Sequence, residues 1–246
     1  MTDQEILDVL LKAALAVEGA LTDFKGSGLS GRRPTQYLLD EVADEAAIAV
    51  LLEAGFSVFS EESGMQGEGN LTVVIDPVDG STNCDRGIPF FCTSLAVVEA
   101  QSLRAGLVRS LTTGVTYSAT KGGGAYRNGL PIAPSKQQDL SQAIVGVNGL
   151  YPKQFLWRQT RSMGAAALEM CLVADGSLDG FFQAPPACVH PWDYLAAMLI
   201  CQEAGAVVRA IDDEVLVLIE AIPRHPIVAA TAELANAIEE ELSRRP

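Results

Sequence analysis

Four acidic residues, Glu61, Asp76, Asp79 and Asp193, stand at the ends of expected secondary-structure elements. Asp76 and Asp79 close the stretch 72–83, TVVIDPVDGSTN, which begins as a short apolar run rich in β-branched residues and reads as a buried strand. The two carboxylates flank Pro77 and Val78, and Gly80, Ser81, Thr82 and Asn83 then suit a tight turn and a helix start. A strand that delivers two acids into a turn, followed at once by backbone N–H groups, suits a cation together with an anion. The acids hold the metal, and the N–H groups with the helix dipole hold a phosphate. Ligation by oxygen alone selects a hard cation such as Mg²⁺. Crowded carboxylates repel one another unless cations neutralise them. Two or three such ions roughly 3.5–4 Å apart can activate water and stabilise the leaving oxygen of a phosphate ester.

These acids need elements to position them. Residues 4–21 carry Ile6, Leu7, Leu10, Leu11, Ala14, Leu15 and Val17 at helical spacing. A Gly/Ser/Arg loop at 25–34 precedes a second helix over 35–54, stopped by Gly55 and carrying Asp40 and Asp44 one turn apart on one face. A strand at 56–59 leads into Glu61-Glu62-Ser63-Gly64; if it neighbours the strand 72–75, three carboxylates converge. Strands are expected at 91–98, 104–110 and 114–119, with turns at 122–124 and at Asn128-Gly129. Beyond a polar boundary at 134–142, strand and helix alternate: strands at 143–147, 178–182, 206–210, 214–219 and 226–230, and helices at 162–174, 192–204 and up to Leu242. Two lobes follow, 1–140 with most of the acids and 141–246 completing the set. The expected fold class runs from α+β to α/β.

With 246 residues, 48% hydrophobic and 20% charged, the chain can bury a substantial core. A net charge of −14 argues against a nucleic-acid partner, though not against a small phosphorylated ligand. No apolar run approaches the roughly 20 residues that span a bilayer. Asp3 and Glu5 stand where a secretory signal needs positive charge, so a cytoplasmic location is expected. The five cysteines form no CxxC pair and read as reduced thiols, with His190 and His225 the only possible imidazole partners.

Glu61-Glu62-Ser63, Asp76-Pro77-Val78-Asp79-Gly80-Ser81-Thr82-Asn83 and Trp192-Asp193 with Ala196-Ala197 and Glu203-Ala204-Gly205 resemble, in order, the three signatures of the inositol monophosphatase family. Residues 124–129 and 163–179 also fit its middle portion, so the resemblance covers nearly the whole chain. The segment from Glu61 to Pro89 looks especially like the archaeal-type branch, which acts on inositol monophosphate and fructose 1,6-bisphosphate. The resemblance implies a layered αβαβα sandwich, a Mg²⁺-dependent and lithium-sensitive phosphatase in which Mn²⁺ can substitute, and a homodimer. It assigns Glu61, Asp76, the Val78 carbonyl, Asp79 and Asp193 to metal, with Glu62 behind them. It gives Gly80 and Ser81 to the phosphate. The Ser81 hydroxyl orients the attacking water with help from a carboxylate of the second helix: Asp40 fits better, and Asp44 is the alternative. Gly164, Ala165, Ala166, Gln183 and Arg161 lie where the alcohol part of the substrate is expected.

Three departures from the family pattern matter. Leu39 replaces a Thr before Asp40, Ser81 replaces the commoner Thr, and Gln183 replaces an acid that grips an inositol hydroxyl. Inositol monophosphate is the first expected substrate and fructose 1,6-bisphosphate the second. Less favoured are 3′-phosphoadenosine 5′-phosphate and histidinol phosphate. A family member that binds metal without turnover is the reading from a different class.

Overall fold

The computed structural model describes residues 1–33, 35–149, 156–184, 187–211 and 214–243; Pro34, where the first loop was expected to end, lies outside them. Helix α1, Asp3–Asp23, starts at a reciprocal cap: the Thr2 hydroxyl accepts the Glu5 N–H at 3.2 Å, and Glu5 accepts the Thr2 N–H at 2.7 Å. It buries Ile6, Leu10, Ala13, Ala14 and Val17 against α2, Leu38–Glu53. Helix α2 starts three residues later than its apolar pattern predicts, at the point where the Asp40 carboxylate accepts the Tyr37 N–H at 2.8 Å.

Both helices lie on one face of an eight-stranded sheet ordered β2-β1-β3-β4-β5-β6-β7-β8. Its strands are β1 Ser57–Ser60, β2 Gly64–Gln66, β3 Thr72–Asp79, β4 Cys92–Glu99, β5 Ser102–Ser110, β6 Thr116–Thr120, β7 Gly124–Arg127 and β8 Leu130–Pro131. Within this sheet, among the described residues, β1 and β3 alone pair in parallel. Side chains alternate across the sheet: Val73 and Ile75 join the α1/α2 core, and Val74 joins the core on the opposite face. Helix α3, Ser81–Arg86, leaves the end of β3, and α4, Ala166–Ala174, packs with α5, Pro191–Ala204, on that opposite face.

Beyond α4 and α5 lies a second sheet, ordered β10-β9-β11-β13-β12, with β9 Ile144–Asn148, β10 Gln159–Arg161, β11 Gly180–Gln183, β12 Val207–Ala210 and β13 Pro226–Ala229. Phe181 faces α4 and α5, and Phe182 faces α6, Ala232–Ser243. The layers are thus α1/α2, sheet, α4/α5, sheet, α6, the expected αβαβα order. Helix α5 is apolar on nearly all sides because it lies between two sheets.

The strand expected at 214–219 does not form. Its apolar run is used differently: Leu216 is buried, and its carbonyl accepts the Tyr194 hydroxyl at 2.7 Å in place of a ladder bond. The helix expected from 162 begins at Ala166, because Gly164 takes a left-handed backbone with φ of 84°.

Gly106 shows how tightly α5 is seated. A Cβ there would lie 2.8 Å from the Ala196 carbonyl oxygen. Gly106→Ala is expected to push α5 from β5 and cost about 1–3 kcal/mol, the usual range for overpacking, which urea unfolding will measure.

Candidate metal and phosphate site

The parallel pairing of β1 with β3 sets Ser60 beside Ile75, and the Glu61 N–H donates to the Ile75 carbonyl at 3.1 Å. Glu61 and Asp76 therefore leave the same end of adjacent strands. Between Asp76 and Asp79 the register of β3 against β4 shifts, which turns Asp79 toward α4. Asp193 arrives from the other side, in the first turn of α5. Its carboxylate accepts the His190 N–H at 2.6 Å, while the His190 ring stacks on Trp192. Carboxylate oxygens of Glu61, Asp76 and Asp193 lie within 4.8 Å of one another.

This cluster lines a cleft of about 270 Å³ together with Asp40, Glu62, Val78, Asp79, Gly80, Ser81, Thr82 and Gly164. Six carboxylates face Arg33, the one cation among the described lining residues. Volume alone does not mark the site. A larger groove of about 640 Å³ runs between α1 and the strands β5 to β7, but its two acids, Asp3 and Asp8, are solvent-exposed.

The electrostatics follow from burial and crowding. Burial, then the charges of Asp193, Glu62 and Asp40, push Glu61 up to about 8. Burial and the Asp79 charge push Asp193 to about 7. Asp79 also stands at about 7, raised mainly by burial against two N–H donors that lower it. Asp76 is fully enclosed and is held well above the usual carboxylate range by burial and by Glu61, Asp79 and Asp193. A set of oxygen donors this short of compensating charge fits a hard divalent cation. The residues present therefore suit the metal.

Behind the cluster, the Ser81 hydroxyl donates to the Val78 carbonyl at 2.8 Å. It also lies close enough to Asp40 to favour that carboxylate, whose burial nonetheless raises it to about 6. Asp40 Oδ1 is buried without a hydrogen-bond partner. Asp44, the alternative helper, faces elsewhere and is bonded by the Ser60 hydroxyl. Glu62 is clamped by Arg33 and by the Gln36 side chain, and Arg33 also donates to the Glu61 carbonyl at 2.8 Å.

The residues expected at the alcohol end separate. Gly164 lines the cleft, and Ala165 and Ala166 are buried at the start of α4. Gln183 is fully buried on β11 with both ends of its amide unpartnered, and it does not line the cleft. Arg161 is exposed on the edge strand β10, where it bonds the Thr160 carbonyl and the Gln159 side chain. Sequence reasoning missed Arg33, Gln36 and Tyr37. They come from an irregular polar loop, and the Tyr37 hydroxyl reaches Thr82 at 3.1 Å.

The inositol monophosphatase family model matches residues 5–244. The chain belongs to that family. It is a phosphoric monoester hydrolase of this type, built on the family fold. It is 38% identical over 197 residues to the fructose-1,6-bisphosphatase/inositol-1-monophosphatase of Archaeoglobus fulgidus, covering 78% of this chain and 75% of the relative. It is 32% identical to the fructose-1,6-bisphosphatase of Pyrococcus furiosus, over 80% of this chain and 78% of the relative. The crystal structure of the extragenic suppressor protein suhB from Bartonella henselae shares the fold, with a TM-score of 0.86 over 98% of this chain and all of that one, at 23% identity. Among the described residues, no helix is long and apolar enough to cross a membrane.

Proposed function

We propose that this family member is a Mg²⁺-dependent phosphomonoesterase that hydrolyses inositol monophosphate to inositol and phosphate. The observation that carries this reading is the approach of Glu61, Asp76 and Asp193 to within 4.8 Å, in a cleft shared with Asp79 and Ser81. In this reading Glu61, Asp76, the Val78 carbonyl, Asp79 and Asp193 hold the cations. When bound, two or three ions neutralise the carboxylates, activate the attacking water and stabilise the leaving oxygen.

The chain's own residues do the rest. Gly80 and Ser81 bind the phosphate. The Ser81 hydroxyl now spends its proton on the Val78 carbonyl. Turning that O–H to Asp40 frees the carbonyl and lets an Oγ lone pair accept a hydrogen bond from the attacking water; as the water gives up that proton to Oγ, the hydroxyl proton passes to Asp40. Asp40, raised to about 6, sits in the range where a carboxylate can hold a proton transiently near neutral pH. Glu62 supports Glu61 through Arg33, which bonds both. Gly164, Ala165 and Ala166 lie nearest the alcohol. Arg161 and Gln183 take part only if they move from their present partners and burial. The same reading carries Mn²⁺ as substitute, Li⁺ as inhibitor, a homodimer, a cytoplasmic location and the two lobes 1–140 and 141–246.

A second reading, fructose 1,6-bisphosphate as substrate, is favoured by Gln183 in place of an acid and by the names of the Archaeoglobus and Pyrococcus relatives. Phosphate release from inositol 1-phosphate, fructose 1,6-bisphosphate, 3′-phosphoadenosine 5′-phosphate and histidinol phosphate, with and without Mg²⁺, decides between them. The expected result is Mg²⁺-dependent release with the highest kcat/KM on inositol 1-phosphate. A higher value on the bisphosphate would replace the first reading by the second, and no turnover of any ester would remove both.

A further inference from the structure

Glu169 is the fourth residue of α4 and is fully buried, yet it lies outside the cleft and the mechanism above does not use it. Its Oε1 accepts two backbone N–H groups, of Met163 and Gly164, both at 3.0 Å. Its Oε2 has no hydrogen-bond partner and lies against Gly146 of β9, where a Cβ would come within 3.0 Å of it. Glycine at 146 thus leaves room for this carboxyl.

The turn that Glu169 holds is gripped from its other side as well. Asn83 Nδ2 donates to the Met163 carbonyl and to the Phe90 carbonyl, each at 2.7 Å. Gly164 follows in a left-handed conformation, packed so closely that a Cβ on Gly80 would lie 3.1 Å from its carbonyl oxygen. The next two free N–H groups, of Ala166 and Ala167, donate to Asp79 at 3.2 and 2.7 Å. One helix start is therefore divided between two carboxylates. Glu169 takes the N–H groups before the helix, and Asp79 takes those of its first turn.

We propose that Glu169 is a positioning residue: by fixing the 163–164 turn it aims the Ala166 and Ala167 N–H groups at Asp79, and so sets the orientation of that metal ligand. This inference rests on the proposed function for the role of Asp79, but the turn itself can be tested without it. Removing the acceptor leaves two part-buried N–H groups without their protein partner, and the turn shifts to reach water or another acceptor. Supporting groups of this kind typically change metal affinity by 10- to 100-fold.

The test compares the full-length wild type with Glu169→Ala, Glu169→Gln and Glu169→Asp. Mg²⁺ affinity is measured by calorimetry, and backbone exchange at 160–170 by hydrogen-exchange mass spectrometry. Glu169→Ala is expected to weaken Mg²⁺ binding about 10-fold or more and to speed exchange at 163–167 alone. Glu169→Gln keeps an acceptor at Oε1 and should restore both. If the alanine variant does not fold, Glu169→Asp, one methylene too short to reach both N–H groups, takes its place. Wild-type Mg²⁺ affinity in the short variant overturns the proposal, even where its melting temperature falls, because a merely structural role would lower stability without moving the ligand. If the wild type itself binds no Mg²⁺, the functional reading fails, and unchanged exchange at 163–167 would still overturn the assignment of the turn to Glu169.

Discussion

Asp76→Asn is expected to lower Mg²⁺-dependent phosphate release by more than ~100-fold, beyond the upper end of what losing a supporting partner of a metal site costs. The variant should nevertheless fold. Asp76 Oδ1 accepts the Val78 N–H at 2.9 Å, and the asparagine oxygen can keep that bond. What is lost is a charge that burial and four neighbouring acids already hold against ionisation. In protein stripped of metal by chelation the substitution should therefore raise the melting temperature while abolishing turnover. A gain in stability with a loss of turnover is the outcome expected where an active site crowds like charges for its function. Wild-type turnover in this variant would show that Asp76 does not hold a cation.

The second large effect concerns pH and metal together. Unfolded, the carboxyls of Asp79, Asp193 and Glu61 titrate near 4. Folded, Asp79 and Asp193 stand at about 7 and Glu61 at about 8. Between those values the folded state binds more protons than the unfolded one, so stability falls as pH rises. Their contribution is complete below about pH 4 and is lost by about pH 8. Chelated protein is thus expected to melt at a lower temperature at pH 8 than at pH 5.5. Mg²⁺ should reverse this, since cations replace protons as the compensating charge. At about 100 times its dissociation constant, a single ion adds about 2.7 kcal/mol. At roughly 2–4 °C per kcal/mol for a chain of this size, that is about 5–11 °C. Differential scanning fluorimetry across pH, with chelator or Mg²⁺, checks both. A chelated melting temperature that rises from pH 5.5 to pH 8 would contradict the buried-acid account.

Much of this site was legible because its ligands sit at the ends of strongly patterned elements. The run Val73, Val74 and Ile75 marks β3 as a strand buried on both faces; the strand runs on past its expected end at 75, so that Asp76 and Asp79 lie in its last, irregular stretch and not in a turn beyond it. The convergence of Glu61 with Asp76 depended on one pairing, β1 beside β3, and that pairing forms. What periodicity could not reach was the rim. Arg33 and Gln36, in an irregular loop, meet Glu62 across more than 25 residues that include all of α2 and β1, with no repeat to signal the contact. Strands β8 and β10 span only two and three residues, too short for any pattern. The run at 214–219 misled because an apolar segment can be buried as a coil when a neighbouring hydroxyl, here that of Tyr194, satisfies its backbone. Gln183 and Arg161 were placed by position in a resemblance. Their side-chain directions depend on β11 and β10 in a way the linear sequence does not display.

Helices α4 and α5 fill one core with side chains from both sheets, and Asp193 crosses that layer to meet Glu61 and Asp76. An ion bridging these three would act as a staple between the two halves of the chain. It would close a loop of well over a hundred residues, and part of its stabilisation would come from the disorder it denies the unfolded chain. A protein nicked within 134–142 should then hold its halves together more firmly in Mg²⁺ than in chelator, and its turnover would report on that association.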